Sequence, residues 1–498
     1  MKNLKYIFLI ITIIVINTSC TKWIDYNPHD DYKITDLDYL KTASDYQTMV
    51  VSTYTPMQWL NQAYVIADIA SDNAVSGGES ASDVLGLQQI DDFTHTPIND
   101  YLTEIWKASY EGINRANYLT QFKDANPAGE AINFSGKEPL YGEVYFLRAY
   151  YYFTLVKFFG DVPLFTDKRL GVTDSKSLSR KSKTEVYAQI EADLNKAIAV
   201  LPNTASDPGR ITKYAAQALL GKVMMYENKF DAAAAVLENV INGPYTLVQN
   251  FASMFLATGE NGPESIFEVQ YSNLTPYWNW GGATRGQGNY AVQQCGIRGL
   301  SGDSPYAPGW STLLPTQELN AKYVSGDQRK DATILDIDAY KAAHPNYNIA
   351  YQVAPYKNTG LYSQKYHPRK GETSGQVEIN YLNNHRILRL ADVLLLAAEA
   401  NNRGTGGDAK ALIYLNKVRE RAFGDKNHNI NLSGTALTQA IWDERRLELA
   451  MEGDRFFDLV RTGQAEKVLK GFVKGKHELF PIPQKEVDIS SLPQNPNY

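Results

Sequence analysis

Cysteine is almost absent from this chain, which has 2 Cys among its 498 residues. A disulfide between Cys20 and Cys295 would have to join the N-terminus to the middle of the chain. A chain of this length buries enough apolar surface to fold without such a bond. The composition therefore argues against a disulfide-stabilised secreted scaffold, and the position of Cys20 needs another explanation.

Histidine is also scarce, and its distribution argues against a metal centre. The 7 His residues are scattered, without an HExxH motif or any paired spacing of zinc ligands. No GxSxG nucleophile motif occurs. The glycine-rich run 404–410 lacks the adjacent Gly-Lys of a phosphate-binding loop, so we interpret it as a turn before a helix that begins near Asp408. We therefore expect no metal site and no cofactor.

Basic charge is not in excess either. The chain has 49 Lys and Arg against 55 Asp and Glu, which gives a formal net charge of -6. Nucleic-acid binding needs a basic surface that attracts the phosphate backbone. We therefore expect no nucleic-acid partner.

Long apolar runs are missing, and the longest one lies at the N-terminus. Lys2 and Lys5 precede an apolar stretch over 6–16 that only Thr12 interrupts. Crossing the hydrocarbon core of a membrane takes about 20 such residues. A short basic segment followed by a run of this length is typical of an export signal, so we predict a signal peptide over 1–19.

Cys20 follows the small polar segment 17–19, and small residues before a lone cysteine resemble the bacterial lipobox. Asn17 departs from that motif, which usually has Leu, Val or Ile at this position. An ordinary cleaved signal with an incidental cysteine is the alternative. Acyl chains on Cys20, at about 0.8 kcal/mol per buried CH₂, would hold the protein to a membrane. The polar segment 20–35 would then act as a lipid-anchored tether.

Helical periodicity dominates the chain beyond the tether. Apolar residues three and four apart predict four helices over 141–160, 184–201, 212–227 and 230–242. Thr184 is the predicted N-cap of the second helix. Taken in pairs, these helices predict hairpins in which small Ala residues lie where the backbones approach. Such hairpins are typical of tetratricopeptide-like repeats, although insertions interrupt the 34-residue period.

Downstream, the same periodicity predicts three more helices over 387–402, 408–422 and about 437–460. Between the two helical blocks, residues 243–375 are rich in Gly, Pro, Asn, Tyr and Trp and have no sustained helical period. Loops carried on a rigid scaffold are a common place for recognition. The predicted fold is therefore mostly α: helical hairpins over about 36–242 and 376–498, with a loop-rich, aromatic-rich insertion and a few short strands.

The C-terminal third carries the segments that identify a family. Five segments, in order, resemble those of the SusD/RagB family: 386–400 (RILRLADVLLLAAEA), 415–422 (LNKVRERA), 444–461 (ERRLELAMEGDRFFDLVR), 479–483 (LFPIP) and 494–498 (QNPNY). Residues 68–73 and 106–117 also resemble segments of that family. The resemblance covers nearly the whole chain beyond the signal and is weakest over about 243–310.

The resemblance implies a single SusD-like α-helical domain over 36–498, held by its lipid at the outer membrane on the cell surface. It also implies a SusC-like TonB-dependent transporter as partner, over which the protein sits as a lid. Family members take starch, levan and other glycans or, in the RagB branch, peptides. The expected function is capture of an oligosaccharide or polysaccharide for that transporter. Capture of oligopeptides and a surface glycosidase activity remain as alternatives.

Carboxylates near the C-terminus allow a catalytic interpretation. Glu444, Glu448 and Glu452 lie four residues apart on one predicted helix face, and paired carboxylates can do acid–base work. Arg residues within three or four positions on the same predicted helix favour a structural ion-pair lattice instead. We therefore expect no catalysis. The acidic run 327–331 is interpreted as a solvated turn, with a cation site as the alternative.

The predicted ligand contacts are aromatic residues of the insertion. Sugar rings have apolar C–H faces and polar rims, so they stack on flat aromatic rings while amides, carboxylates and Arg bind their hydroxyls. Two Trp at i and i+2 in an extended loop point the same way. The predicted stacking residues are Tyr277, Trp278, Trp280, Tyr306 and Trp310. The family resemblance adds Asp72 and Asn73 as hydroxyl partners. The alternative for each Trp is a place in the core.

Overall fold

The computed structural model describes four stretches of the chain, residues 36–275, 286–352, 356–374 and 379–498. The predicted signal peptide and tether, including Cys20, lie outside the described residues. So do three of the predicted stacking residues, Tyr277, Trp278 and Trp280. Within the four stretches, no helix has both the length and the apolar character needed to cross a bilayer.

Helices provide most of the regular structure. In chain order the α-helices are α1 (Ala43–Trp59), α2 (Gln62–Ile69), α3 (Leu85–Asp91), α4 (Asp100–Gln121), α5 (Lys137–Phe159), α6 (Lys183–Val200), α7 (Lys213–Tyr226), α8 (Phe230–Ile241), α9 (Ala291–Cys295), α10 (Gln317–Lys322), α11 (Arg329–Thr333), α12 (Ile337–Ala343), α13 (Leu390–Arg403), α14 (Asp408–Phe423), α15 (Gly434–Leu449), α16 (Arg455–Arg461), α17 (Ala465–Val468) and α18 (Gln484–Ser490). Short 3-10 helices lie at Asp36–Asp38, Val172–Ser177, Phe251–Phe255, Ala257–Gly259 and Pro345–Tyr347. The mostly helical fold class is thereby confirmed.

The strands are short and pair in twos. They are β1 (Ala74–Ser76), β2 (Val162–Pro163), β3 (Arg180–Lys181), β4 (Ser265–Val269), β5 (Leu313–Pro315), β6 (Ile334–Asp336), β7 (Leu361–Ser363) and β8 (His385–Arg389). All pairs are antiparallel: β1 with β5, β2 with β3, β4 with β8, and β6 with β7. Because β1 and β8 belong to the scaffold, two of these pairs fasten the insertion to it.

The chain divides into two units, and the smaller contains the described residues 36–48 and 122–135. Within it, the Tyr46 hydroxyl donates to the carbonyl oxygen of Phe122 at 2.9 Å, and the Tyr46 ring lies 5.3 Å from that of Phe134. The larger unit contains residues 49–121 and 136–498.

The two predicted hairpins are present in the larger unit, since α5 packs on α6 and α7 on α8. The predicted apolar face of α5 is buried throughout, at Val144, Leu147, Tyr151, Leu155 and Phe158. Between α7 and α8 the contact is close enough to need a glycine, because a Cβ on Gly221 would lie 2.4 Å from Leu237.

The start of α6 differs from the prediction. Its N-cap is Ser182 and not Thr184, because Glu185 at the third helical position completes a capping box. The Ser182 hydroxyl accepts from the Glu185 N–H at 3.3 Å, and the Glu185 carboxylate accepts from the Ser182 N–H at 3.0 Å. Two backbone donors that the helix leaves unpaired are satisfied in this way.

The predicted long helix over 437–460 is wrong, because the chain forms α15 and α16 with a break between them. Gly453 has a φ of +90° in that break, and a Cβ there would lie 2.6 Å from the Tyr64 backbone. The break turns Glu452 away from the helix that carries Glu444 and Glu448. Close packing of the 450–454 segment on α2 thus overrides helical periodicity.

The three carboxylates of the proposed lattice bind cations from other elements and not from their own helix. Glu448 accepts from Arg389, Arg421 and Arg329. Glu452 accepts from Arg389 at 2.8 Å and from Lys365 at 2.6 Å. These groups are buried. The lattice therefore joins β8, α11, α14 and α15 through the core.

The acidic run 327–331 is not the solvated turn that was expected. Asp327 is buried, and its carboxylate binds the fully buried Arg329 at 2.7 Å and 2.9 Å. Arg329 also donates to Glu444 at 2.7 Å. Since Arg329 already neutralises Asp327, this run does not form the cation site kept as an alternative.

The insertion has its own apolar cluster, which explains how it folds without a helical period. The cluster consists of Ile297, Leu300, Tyr306, Leu314, Leu335, Ile337, Ile349 and Tyr362. It lies beneath the short strands β5, β6 and β7. The irregular backbone of the insertion thus packs on an apolar cluster that holds its loops in place.

Candidate functional site

Trp310 lies in the insertion as half of an aromatic pair with Tyr290. The two rings are 6.5 Å apart between centroids and inclined by 53°, and both are half-buried. The Trp310 N–H donates to the carbonyl oxygen of Gln293 at 2.8 Å, which ties its backbone to α9. The pair therefore presents aromatic surface from a fixed backbone.

The described residues on either side of the stretch that carries Tyr277, Trp278 and Trp280 contact each other. The N–H of Gln287 donates to the Thr275 hydroxyl at 3.1 Å, and the Ser272 N–H donates to the Gln287 carbonyl at 3.0 Å. The chain thus leaves and returns at one place. From there it runs directly to Tyr290, three residues after Gln287.

A charged group is joined to the segment that carries Trp310. Arg298 binds the Asp83 carboxylate at 2.7 Å and the Glu79 carboxylate at 3.4 Å. The Glu79 side chain is 68% exposed, Asp83 30% and Arg298 22%. These side chains therefore offer solvent both hydrogen-bond acceptors and a guanidinium donor.

Two backbone contacts bring the charged group to Trp310. Ser311 accepts through its hydroxyl from the Arg298 N–H at 2.8 Å, and through its carbonyl from the Gly78 N–H at 2.7 Å. The approach requires glycine, since a Cβ on Gly77 would lie 2.2 Å from the Ser311 carbonyl oxygen. The loop 77–83 and the segment around Trp310 are consequently fastened to each other through the backbone at Ser311.

Tyr306, predicted as a stacking residue, lies elsewhere. It is 6% exposed and belongs to the apolar cluster of the insertion. Its hydroxyl accepts from Gln364 at 2.8 Å, and its ring lies 4.7 Å from that of His367. Burial lowers the pKa of His367 to about 3, so the ring contact is with a neutral imidazole. Tyr306 is packed from several sides and presents no open face.

Asp72 and Asn73 are also separated from Trp310. The antiparallel ladder of β1 and β5 puts Asn73 beside Thr316, at the end of the ladder opposite Trp310. Asn73 is fully buried and accepts from Arg446 at 3.0 Å. The N-terminal loop does fold alongside the insertion, but it contributes Glu79 and Asp83.

Asp72 is bound by cations of the C-terminal signature. Arg455 donates to its two carboxylate oxygens at 2.7 Å and 2.9 Å, and Arg446 lies at 3.1 Å. Burial alone would raise the pKa of Asp72, but the hydrogen bonds and charge of Arg455 outweigh it and hold that pKa below its usual range. An ionised Asp72 with two guanidinium partners has a structural role in this arrangement.

The sequence did not single out Tyr290, Arg298, Asp83 or Glu79. One local signal was available for the loop: paired glycines at 77–78 followed by acidic residues mark a close backbone approach with charged side chains at its edge. Nothing local pointed to Arg298. Across the described stretches, no cluster of three His, Cys, Asp or Glu has the geometry of a metal site.

Comparison with known proteins places the chain among relatives of one kind. The family model described as "SusD family" matches residues 263–478, and the model described as "Starch-binding associating with outer membrane" matches residues 22–225. SusD-like protein P2 of Formosa agariphila is 27% identical, with 92% of this chain and 94% of the relative covered.

Solved structures give the same result. A laminarin binding SusD-like protein has 35% sequence identity and a TM-score of 0.83, over 92% of this chain and all of the other. Surface glycan-binding protein A from Bacteroides thetaiotaomicron, in complex with laminarihexaose, has 29% identity and a TM-score of 0.80 over 92% of this chain and all of the other. With a 35% identical relative aligned along 92% of this chain and all of the relative, and with family segments in order from the N-terminal loop to the C-terminus, the chain belongs to the SusD family.

Proposed function

We propose that this protein is a cell-surface glycan-binding lipoprotein that captures an oligosaccharide or polysaccharide and delivers it to a SusC-like TonB-dependent transporter. The observation that carries the proposal is the Tyr290–Trp310 pair on a segment that Ser311 joins to the Arg298, Asp83 and Glu79 group. A sugar has an apolar face for the rings and hydroxyls for the charged groups. The proposed site combines both complements.

The proposed ligand class is a β-glucan of the laminarin kind. One similar solved protein is named for laminarin binding, and another was solved with laminarihexaose. In the proposed complex one sugar ring stacks on Trp310, and its neighbours stack on Trp278 and Trp280. Arg298 donates to sugar hydroxyls while Asp83 and Glu79 accept from them. Several stacked rings in a row would favour a chain of sugars over a single residue.

We propose binding without hydrolysis. Glycosidases use two carboxylates that flank the scissile bond, one of them kept protonated by a raised pKa. Glu448 does not fit that role, because the charges of Arg421, Arg389 and Arg329 outweigh its burial and hold its pKa well below the usual range.

Membrane attachment and partnership complete the proposal. A lipid on Cys20 would hold the protein at the outer membrane, in line with the family description that names association with that membrane. The tether over 20–35 would let the folded part reach a ligand above the membrane and a transporter within it.

The test is a binding screen of lipid-free protein that begins at Thr21. Calorimetry against laminarin oligosaccharides, starch, levan and a panel of oligopeptides is expected to show binding to laminarin. Trp310→Ala should weaken that binding. The control is Trp442→Ala, in which the lost ring belongs to α15 and lies under Arg403 of α13; it should leave binding per folded molecule unchanged. Thermal melts of both variants report folding.

Three outcomes would overturn the proposal. Binding of oligopeptides but no glycan would favour the peptide alternative. Release of reducing sugar from laminarin would show a glycosidase. Undiminished laminarin binding after Trp278→Ala, Trp280→Ala and Trp310→Ala, with each fold intact, would move the site to another surface.

A further inference from the structure

A cavity of about 610 Å³ opens on the larger unit between α4, the segment 163–178 and the C-terminal helix α18. It shares no residue with the surface around Trp310. Its volume lies in the range of pockets that bind small molecules, and its walls are mostly apolar with a few polar groups, as such pockets usually are.

The aromatic wall of this cavity is fixed by contacts within the protein. Tyr110 donates its hydroxyl to the Pro163 carbonyl at 2.9 Å and stacks on Phe165 at 5.8 Å with an interplanar angle of 12°. Trp106, one helical turn earlier, lies 4.9 Å from Tyr110 and packs edge-on against Phe159 at 5.2 Å. The rings therefore keep their positions without a ligand.

Trp59 also lines the cavity, and Arg115 contacts its ring. The guanidinium of Arg115 lies 5.1 Å from the centre of its ring, and Arg115 also binds Glu111 at 2.9 Å. Glu111 lines the cavity, so its charge is matched by Arg115 before any ligand binds.

Glu486 on α18 is the carboxylate of the cavity whose charge is not matched in this way. It shares the cavity wall with Trp106, and within the described part of the chain it forms no ion pair. Burial raises the pKa of Glu486, and the charge of Lys107, which also lines the cavity, lowers it only in part. Lys107 itself is 43% exposed and lies 3.7 Å from Glu104. A half-buried carboxylate next to aromatic rings is thus left to pair with a ligand.

We propose that this cavity binds a small organic amine in its protonated form, with the ammonium group at Glu486 and an apolar or aromatic body against Trp59 and Phe165. The carboxylate provides charge pairing, and the faces of Trp106 and Tyr110 attract a cation through their ring quadrupoles. The apolar body gains from burial against the remaining lining.

Other ligand classes fit less well. An anion would meet the Glu486 carboxylate, which repels it, and the cation of the lining, Lys107, is already paired with Glu104 at 3.7 Å. A sugar would bury hydroxyls against Leu170, Leu178 and Leu492, where they would lose hydrogen bonds to water without replacement. The proposal does not depend on the glycan site, because the two surfaces share no residue.

The test compares 2-phenylethylamine with the neutral 2-phenylethanol by calorimetry at pH 7 on lipid-free protein that begins at Thr21. The wild type should bind the amine about tenfold or more tightly than the alcohol, and Glu486→Gln should remove that preference. Glu466→Gln is the matched control, since Glu466 is 62% exposed and lies outside the cavity. Leu178→Trp, which fills the cavity, should abolish amine binding and leave laminarin binding unchanged.

The proposal is overturned if the wild type binds neither compound, binds both equally, or keeps its preference in Glu486→Gln. Amine binding that persists in a folded Leu178→Trp protein would also overturn it, because the amine would then bind elsewhere. If the wild type binds no laminarin, that result would count against the proposed glycan function alone.

Discussion

Arg455 holds Asp72 through two hydrogen bonds, of 2.7 Å and 2.9 Å, that join the C-terminal signature to the N-terminal loop. Both side chains are largely buried, with 9% and 15% exposure. A guanidinium and a carboxylate in this bidentate geometry fix each other's orientation as well as their charge. The pair fastens together two segments that are far apart in the sequence.

Asp72→Asn is expected to destabilise the protein and to leave ligand affinity unchanged. The change leaves Arg455 and Arg446 with a neutral partner, and breaking a buried ion pair costs about 3 kcal/mol. Urea unfolding at pH 7 measures the loss, and calorimetry measures laminarin affinity per folded molecule. The control is Asp425→Asn, whose carboxylate is 42% exposed. Unchanged stability with lost affinity would instead make Asp72 a direct ligand contact.

Arg298→Ala is expected to weaken laminarin binding by about thirtyfold, the effect of removing a residue that contributes about 2 kcal/mol. The reason is the loss of the guanidinium donor beside Trp310, together with disordering of Asp83 and Glu79. Calorimetry measures the change. Arg169→Ala, an exposed arginine over the Tyr118 ring, is the control and should bind normally. Equal affinities of both variants would remove Arg298 from the site.

Local patterns in the sequence predicted the local structure well. The apolar face of α5 is periodic, and the fold buries all five of its predicted residues. Residues 437–460 are equally periodic, yet the helix ends at Leu449, and the segment that follows packs with Gly453 against Tyr64 of α2. That contact joins residues far apart in the sequence, so periodicity could not reveal it.

The sequence predicted the chemistry of the candidate site but not which residues form it. Composition pointed to aromatic residues of the insertion, and Trp310 does lie in an aromatic pair at the surface. Tyr306 has the same local setting of Pro and Gly, and only the folded cluster decides that its ring is buried. Arg298 binds Asp83, which is far from it in the sequence, so no local pattern could reveal this contact.

Cys295 is expected to resist thiol reagents in the folded protein. Its side chain is fully buried, 4.0 Å from the Tyr64 hydroxyl, and burial raises the pKa of its thiol to about 12. Because the thiolate is the reactive form, labelling by iodoacetamide at pH 8 should require unfolding. Mass spectrometry of lipid-free protein with and without urea checks this. Rapid labelling without urea would show that the α9 region opens readily.

Cys20→Ala is expected to release the protein from membranes or to leave it held only by its transporter. The acyl chains that the lipobox resemblance predicts would be lost with the thiol. Fractionation and radiolabelled palmitate measure attachment, and Cys295→Ala is the matched control. Gentle detergent extraction of the wild type should co-purify a large TonB-dependent barrel. Wild-type protein that incorporates no palmitate would contradict the anchor, and its recovery alone would contradict the partnership.

Asp68 is a carboxylate fully buried in α2, and its ionisation is expected to make stability depend on pH. Its Oδ1 lies 3.4 Å from Nδ2 of Asn73, and its Oδ2 has no hydrogen-bond partner within the described stretches. Burial raises the pKa of Asp68 to about 7, although the Asn73 hydrogen bond and the charge of Lys365 lower it in part. The neighbouring Asp454 raises it further.

The sign of the pH dependence follows from this raised pKa. An unfolded chain releases the Asp68 proton near pH 4, whereas the folded protein keeps it until about pH 7. The folded state therefore binds more protons in this range, and the free energy of unfolding falls as pH rises, by up to about 1.4 kcal/mol per pH unit. Asp68→Asn removes the titrating group. Its stability relative to the wild type should rise from pH 4 to pH 7 and then level off. Urea unfolding at several pH values measures the trend, with the exposed Asp443→Asn as control. A difference that stays constant from pH 4 to pH 8 would show that Asp68 is ionised in the folded protein throughout.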